Sequence, residues 1–162
     1  MSLTFDKYQE GAKSTAIYPG VAKLLYPVLG LAGECSEVIE KLSDALFYDC
    51  DGNYIATPGV EEEINEIMER FVEAGQACEK LKKQIRGGSI PPEQLNGIAV
   101  KVNNLDQNQL NELVKEVSDE LWYSAAIASD MDKKLSDIAQ ANLDKLQSRK
   151  QRGVLHGNGD NR

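Results

Sequence analysis

The sequence predicts an all-α protein, a bundle of about four to five helices, from three observations. Apolar residues recur at spacings of three and four through most of the chain, which is the period of one helix face. Capping residues and glycines stand where those stretches begin and end. No long segment alternates apolar and polar residues as a half-buried strand would. A helix with a single apolar stripe has to bury it against another element, and a set of such helices makes a bundle.

Phe5, Tyr8 and Ala12 predict a first helix over about 4–15, with Thr4 as its N-cap and Tyr18-Pro19-Gly20 beyond its end. A second helix begins near Pro27 and runs to about Phe47, with Val28, Leu31, Ala32, Cys35, Val38, Ile39 and Leu42 as its stripe. Gly30 and Gly33 lower its intrinsic propensity and leave room for close approach of a neighbouring helix or a ligand. The pattern breaks over 48–59, where Asp51-Gly52 signals a turn between short strand-like flanks, so a small hairpin or loop is expected there.

A third helix is predicted over about 60–86 from Ile64, Ile67, Met68, Phe71, Cys78, Leu81 and Ile85, stopped by Gly87-Gly88. The stretch from Ser89 to Leu105, with Pro91-Pro92, reads as a loop with room for a short helical turn. A fourth helix follows over about 107–131, carrying Leu110, Leu113, Val114, Val117, Leu121 and Ala125 and N-capped by Asp106. A fifth covers about 135–151 through Leu135, Ile138, Leu143 and Leu146, with Ser136 or Lys134 near its start and Gly153 past its end. The Gly-rich tail from His156, the one histidine, reads as solvated.

A chain of 162 residues suits one compact domain with a real core. Its 18 Lys and Arg against 26 Asp and Glu give a net charge of −8, which argues against polymeric nucleic acid as a partner. Single nucleotides stay open, because a metal ion inverts local charge. Cys35, Cys50 and Cys78 show no zinc spacing and read as reduced thiols. The N-terminal residues lack the basic and apolar regions of a signal peptide, and no apolar run reaches the roughly 20 residues of a membrane span. A soluble cytoplasmic protein is expected.

Two of the predicted helices carry acidic pairs at i, i+3: Glu34 with Glu37, and Glu116 with Asp119. Residues three apart share a helix face, so each pair points one way, and antiparallel packing of the two helices would let four carboxylates converge. Gly30-Leu31-Ala32-Gly33 precedes the first pair and Leu121-Trp122-Tyr123 follows the second, so both pairs sit in strongly apolar helices. Converging acids in such a setting need a counter-charge. Magnesium or manganese, which favour oxygen ligands, would supply it. Spacing alone is a weak signal, since most such pairs are solvated faces; Glu61, Glu62, Glu63 and Glu66 read that way. A di-iron carboxylate bundle would need Glu-x-x-His on two helices, and His156 lies outside every predicted helix. A non-enzymatic helical adaptor or regulatory protein suits the stripes and the negative charge but leaves the acids unexplained.

Four segments in order resemble the MazG-like nucleotide pyrophosphohydrolases, all-α enzymes of phage and bacterial type. Gly30-Leu31-Ala32-Gly33-Glu34-Cys35-Ser36-Glu37-Val38 is similar to that family's GLxGExxEv segment, and Glu116-Val117-Ser118-Asp119-Glu120-Leu121-Trp122-Tyr123 to its ExxD helix. Asn142-Leu143-Asp144-Lys145-Leu146-Gln147-Ser148-Arg149 resembles its N-x-x-K-L-x-x-R segment, and Arg152-Gly153 with Gly159-Asp160-Asn161-Arg162 its tail. The resemblance covers roughly 1–42 and 107–162.

The resemblance implies a single catalytic domain over 1–162 with an insertion over about 43–106. It implies hydrolysis of a nucleoside triphosphate between the α- and β-phosphates to the monophosphate and pyrophosphate, with Mg2+ or Mn2+ as cofactor. A purine deoxynucleotide such as dGTP is the substrate favoured by likeness to phage members, and nucleotide-pool control the role. The metal ligands would be Glu34, Glu37, Glu116 and Asp119, with Glu37 as base or as ligand only. Asn142, Lys145 and Arg149 would contact the nucleotide. Trp122 and Tyr123 would shape a base pocket or lie at a core or oligomer interface. A homo-oligomer, dimer or tetramer, is expected. The family often runs its first acidic helix straight into a basic stretch; here Glu79-Lys80-Leu81-Lys82-Lys83-Gln84-Ile85-Arg86 comes only after about 38 further residues.

Overall fold

The structure is a computed structural model that describes residues 3–47, 51–53, 55 and 59–155. Among them the chain forms α1 (Phe5–Lys13), a 3-10 turn (Gly20–Ala22), α2 (Leu25–Phe47), α3 (Val60–Arg86), α4 (Pro92–Asn103), α5 (Gln107–Asp130) and α6 (Leu135–Gln151). The all-α expectation holds, and no strand occurs among the described residues. Most of the hairpin expected over 48–59 lies outside the described residues, as does the tail from His156. The helices divide into two compact units, Met1–Ile17 with Asn104–Arg162, and Tyr18–Asn103.

The first unit holds α1, α5 and α6. Thr4 caps α1 by accepting from the Lys7 N–H at 3.3 Å. Asp106 and Gln109 form a reciprocal capping box at the start of α5. Two helices end in the same hydrogen-bonded reversal: Lys133 N–H donates to Ala128 and Asp132 N–H to Ser129 after α5, and Val154 N–H to Arg149 and Gly153 N–H to Lys150 after α6. Gly153 takes the left-handed φ of 70° that this turn requires, while Asp132 does so at 54° despite its Cβ.

Helices α1 and α6 lie side by side in the same direction. Gly11 of α1 makes room for the buried Leu143, whose Cδ2 lies 2.7 Å from where a Cβ would stand. Three polar contacts flank that seat. Tyr8 Oη donates to Asn142 Oδ1 at 3.1 Å. Gln147 Nε2 donates to Ser14 Oγ at 3.1 Å, and Lys150 Nζ to the Ser14 carbonyl at 2.9 Å.

The second unit is an antiparallel pair, α2 on α3, closed at one end by the 3-10 turn and α4. Ala22, Ile85 and Leu95 form its buried centre, with Val21, Leu25, Tyr26, Leu29 and Ile90 around them. Tyr18 stacks on Tyr26 with ring centroids 4.6 Å apart. Helix α2 starts at Leu25, two residues before Pro27, which therefore sits in the first turn where its missing N–H breaks no helical bond. Helix α4 stands where the sequence predicted a loop. Pro91-Pro92 had read as a breaker, yet Pro92 is the first residue of the helix, a position proline favours. Leu95 then anchors α4 to the centre at 5% exposure.

The α2–α3 crossing is built on small residues. Ser36 lies over Gly75, Glu79 over Gly33, and Lys82 over Gly30. A Cβ on Gly75 would coincide with the Ser36 side chain, and one on Gly33 would stand 2.5 Å from Glu79 Oε1. The glycines of the GLAG segment thus admit a neighbouring helix, one of the two roles open to them from sequence. Glu79 and Lys82, with side chains 14% and 11% exposed, form an ion pair against this bare stretch of backbone. Polar groups buried this far need such pairing.

Candidate functional site

The geometry of α2 follows from that crossing. Gly30, Gly33 and Ser36 face α3, which turns the larger side chains of the helix the other way. Val28, Leu31, Val38 and Leu42 are exposed; Glu34 stands exposed beside that stripe, and Glu37 is exposed on the side nearer α3. Helix α5 presents a second surface of the same kind. Leu113, Val114, Val117, Leu121 and Trp122 are all exposed, Trp122 at 65%; Glu116 is exposed beside the Leu113, Val117 and Leu121 stripe and Asp119 is exposed on the far side of the helix. The apolar setting expected of the acids is present, but both settings are uncovered, so the desolvation expected from sequence is not imposed on either pair.

The two pairs belong to different units, Glu34 and Glu37 to Tyr18–Asn103 and Glu116 and Asp119 to the other. Among the described residues no three His, Cys, Asp or Glu side chains gather as a metal site would require. Each pair alone offers hard oxygen donors at i, i+3, a donor set that fits magnesium or manganese.

Glu37 also borders a cleft of ≈ 550 Å³ between α2 and α3, together with Glu40, Glu79, Lys80, Lys83 and Gln84. Sequence reasoning did not place this basic stretch beside the acids; it registered the stretch as displaced. Because α3 returns antiparallel to α2, Glu79 comes to lie on Gly33 and the lysines after it come to border the same cleft as Glu37. Lys83 Nζ lies 3.9 Å from Glu79 Oε2.

The residues expected to contact a nucleotide sit on α6. Asn142 accepts from Tyr8 and lines a second cavity, of ≈ 530 Å³, between α1, α5 and α6. Lys145, one turn on, is exposed, whereas Arg149 is buried at 6% exposure. The expected phosphate-facing pair therefore divides into one exposed cation and one buried one. Trp122 and Tyr123 meet edge to face, 5.0 Å between centroids. Neither borders that cavity, although their neighbours Leu121 and Ser124 do. From sequence Tyr8 had only a helical-spacing signal and Ser136 only a place near a helix start, while Ser124 was not singled out. No described helix is long and apolar enough to cross a membrane.

An α-helical fold with acid-bearing, uncovered amphipathic faces is a class shared by many proteins, and comparison narrows it. The chain is 33% identical over 157 residues to the Gene 37 protein of Mycobacterium phage L5, covering 97% of each. It belongs to the family of that phage protein. No protein-family model matches the chain, and no solved structure matches it.

Proposed function

We propose that this chain is a metal-dependent nucleoside triphosphate pyrophosphohydrolase of the MazG-like type, releasing pyrophosphate from a nucleotide, with purine deoxynucleotides such as dGTP favoured. The observation that carries the reading is the pairing of exposed carboxylates with uncovered apolar faces on both α2 and α5. A solvated acid face has no use for flanking Leu, Val and Trp, whereas a metal site that a second copy of the chain would wall off from water does. The ordered GLAGE, ExxD and N-x-x-K-L-x-x-R segments supply the second support.

In this reading Glu34, Glu37, Glu116 and Asp119 are the ligands of Mg2+ or Mn2+. Such a cation, when bound, neutralises phosphate oxygens and polarises the phosphorus centre. Glu37, at the lip of the cleft, holds the proton taken from the attacking water or serves only as a ligand. Lys145 offers its ammonium to the phosphate chain and Asn142 its amide to the nucleoside. Arg149, 6% exposed, is the third residue assigned to nucleotide contact in this reading. The exposed faces of α2 and α5, Trp122 included, make a homo-oligomer the proposed working form. The proposed setting is the cytoplasm of a bacterium or a phage-infected host, in nucleotide-pool control. The same exposed faces favour a second reading, a non-enzymatic helical adaptor.

One experiment separates the two. The purified chain is incubated with Mg2+ or Mn2+ and a panel of nucleoside tri- and diphosphates, and pyrophosphate and phosphate are measured. Turnover that disappears in Glu37→Ala and Asp119→Ala, with helicity retained, supports the hydrolase. Failure to cleave any member of the panel with either metal refutes it and leaves the adaptor.

A further inference from the structure

The two cavities differ in charge, and the difference assigns a role to the second one. Acids and lysines border the cleft beside Glu37. Among the described residues that line the cavity between α1, α5 and α6, none carries a charge. Its walls are apolar, with Phe5, Leu121, Leu135 and Ile138 contributing. Five polar side chains border it as well: Tyr8 and Asn142, which bond each other, Thr4, which caps α1, Ser136, whose hydroxyl reaches Asp137 Oδ1 at 3.4 Å, and Ser124. A volume of ≈ 530 Å³ falls within the roughly 300–1,000 Å³ typical of small-molecule sites.

We propose that this cavity is the nucleobase site, and that it takes a neutral, planar heterocycle through Asn142 oriented by Tyr8. A phosphate would find no cation there. An aliphatic chain would strip water from the Asn142 amide NH2 and the Ser124 hydroxyl and return no hydrogen bonds, at a cost of about 1–3 kcal/mol for each group left unsatisfied. A nucleobase meets both demands at once, with apolar faces for the walls and donors and acceptors on its rim. Tyr8 Oη donates to Asn142 Oδ1 at 3.1 Å, which fixes the amide so that its NH2 is the group free to donate to a base. Tyr8 is thus a positioning residue. The site lies on a different side of α5 from Trp122, since Leu121 and Ser124 border it and Trp122 does not. The proposal rests on the nucleotide reading for its choice of ligand, while the cavity stands on geometry alone.

The test uses the full-length protein and phosphate-free probes. Deoxyguanosine, deoxyadenosine, thymidine and deoxycytidine are titrated calorimetrically without metal, and tripolyphosphate is titrated in parallel with Mg2+. At least one nucleoside should bind the wild-type protein. Ala139→Leu, which fills the cavity from α6, should weaken that nucleoside at least tenfold and leave tripolyphosphate unchanged. Tyr8→Phe, which keeps the ring, should weaken the nucleoside severalfold and keeps the test decisive where the larger change disturbs folding. The proposal is overturned where no nucleoside binds the wild-type protein, or where both variants bind it as the wild type does. Nucleoside binding that responds to these variants in a protein that cleaves no triphosphate would sustain the base site and remove the hydrolase reading.

Discussion

Replacing Gly75 by Ala tests whether the small-residue crossing holds the Tyr18–Asn103 unit together. In a free helix the change is favourable by about 1 kcal/mol, because Ala loses less backbone freedom than Gly. At Gly75 the new Cβ would fall on the Cβ and Oγ of Ser36 and 3.2 Å from the Ala32 carbonyl oxygen. Ser36 has no room to turn aside: it is 2% exposed, and its Oγ donates to the Gly33 carbonyl at 2.7 Å. The helices must move apart instead, and over-packing of this kind costs about 1–3 kcal/mol, here at the upper end because neither obstacle is a flexible side-chain tip. The net expectation is a loss of about 2 kcal/mol, read by urea denaturation with circular dichroism and by hydrogen exchange of α3 amides. Gly97→Ala in α4, where nothing lies within 4 Å, is the control and should gain about 0.5–1 kcal/mol. Removing the obstruction with Ser36→Gly in the Gly75→Ala background should recover most of the loss, a coupling of about 2 kcal/mol. A Gly75→Ala protein as stable as Gly97→Ala, or an absent coupling, would refute the crossing.

Other perturbations follow from single contacts. Asp132→Gly relieves a left-handed φ of 54° at the end of α5 and should stabilise the protein by about 1 kcal/mol in thermal denaturation. Lys82→Ala leaves the largely buried Glu79 carboxylate only the more distant Lys83 and should cost about 2–3 kcal/mol, while the double change Glu79→Gln with Lys82→Met should recover much of it. Asp106→Ala removes the side-chain half of the α5 capping box and should cost about 1 kcal/mol, visible as fraying of the first turn by hydrogen exchange.

The chain's punctuation was readable from sequence. Thr4, Asp106, Gly87-Gly88 and Gly153 act where local chemistry placed them, because caps and left-handed turns depend on a few adjacent residues. Helix α4 escaped because Pro92 reads alike as a breaker and as a helix start, and what decides is Leu95 finding Ala22 and Ile85 far away in sequence. The partner of α2 was harder still. Its conspicuous stripe of Val28, Leu31, Val38 and Leu42 pointed to one packing face, yet the face that meets α3 is Gly30, Gly33 and Ser36. Periodicity marks large apolar residues and is blind to the absence of a side chain. The same blindness hid the cleft, since only the return of α3 brings Lys80 and Lys83 to border the same cleft as Glu37.

The seating of α6 on α1 has a bearing on how the protein comes into being. Tyr8 and Asn142 are separated by 134 positions, so the contact closes a long loop and is entropically late. The Tyr18–Asn103 unit is continuous in sequence and can be complete on the ribosome while α1 still waits for its mate. Until Asn142 emerges, Phe5 and Tyr8 have no cavity to line. A nascent chain therefore carries an orphaned, apolar-edged first helix until α6 is made, and truncation anywhere between Asn103 and α6 would leave it permanently unhoused.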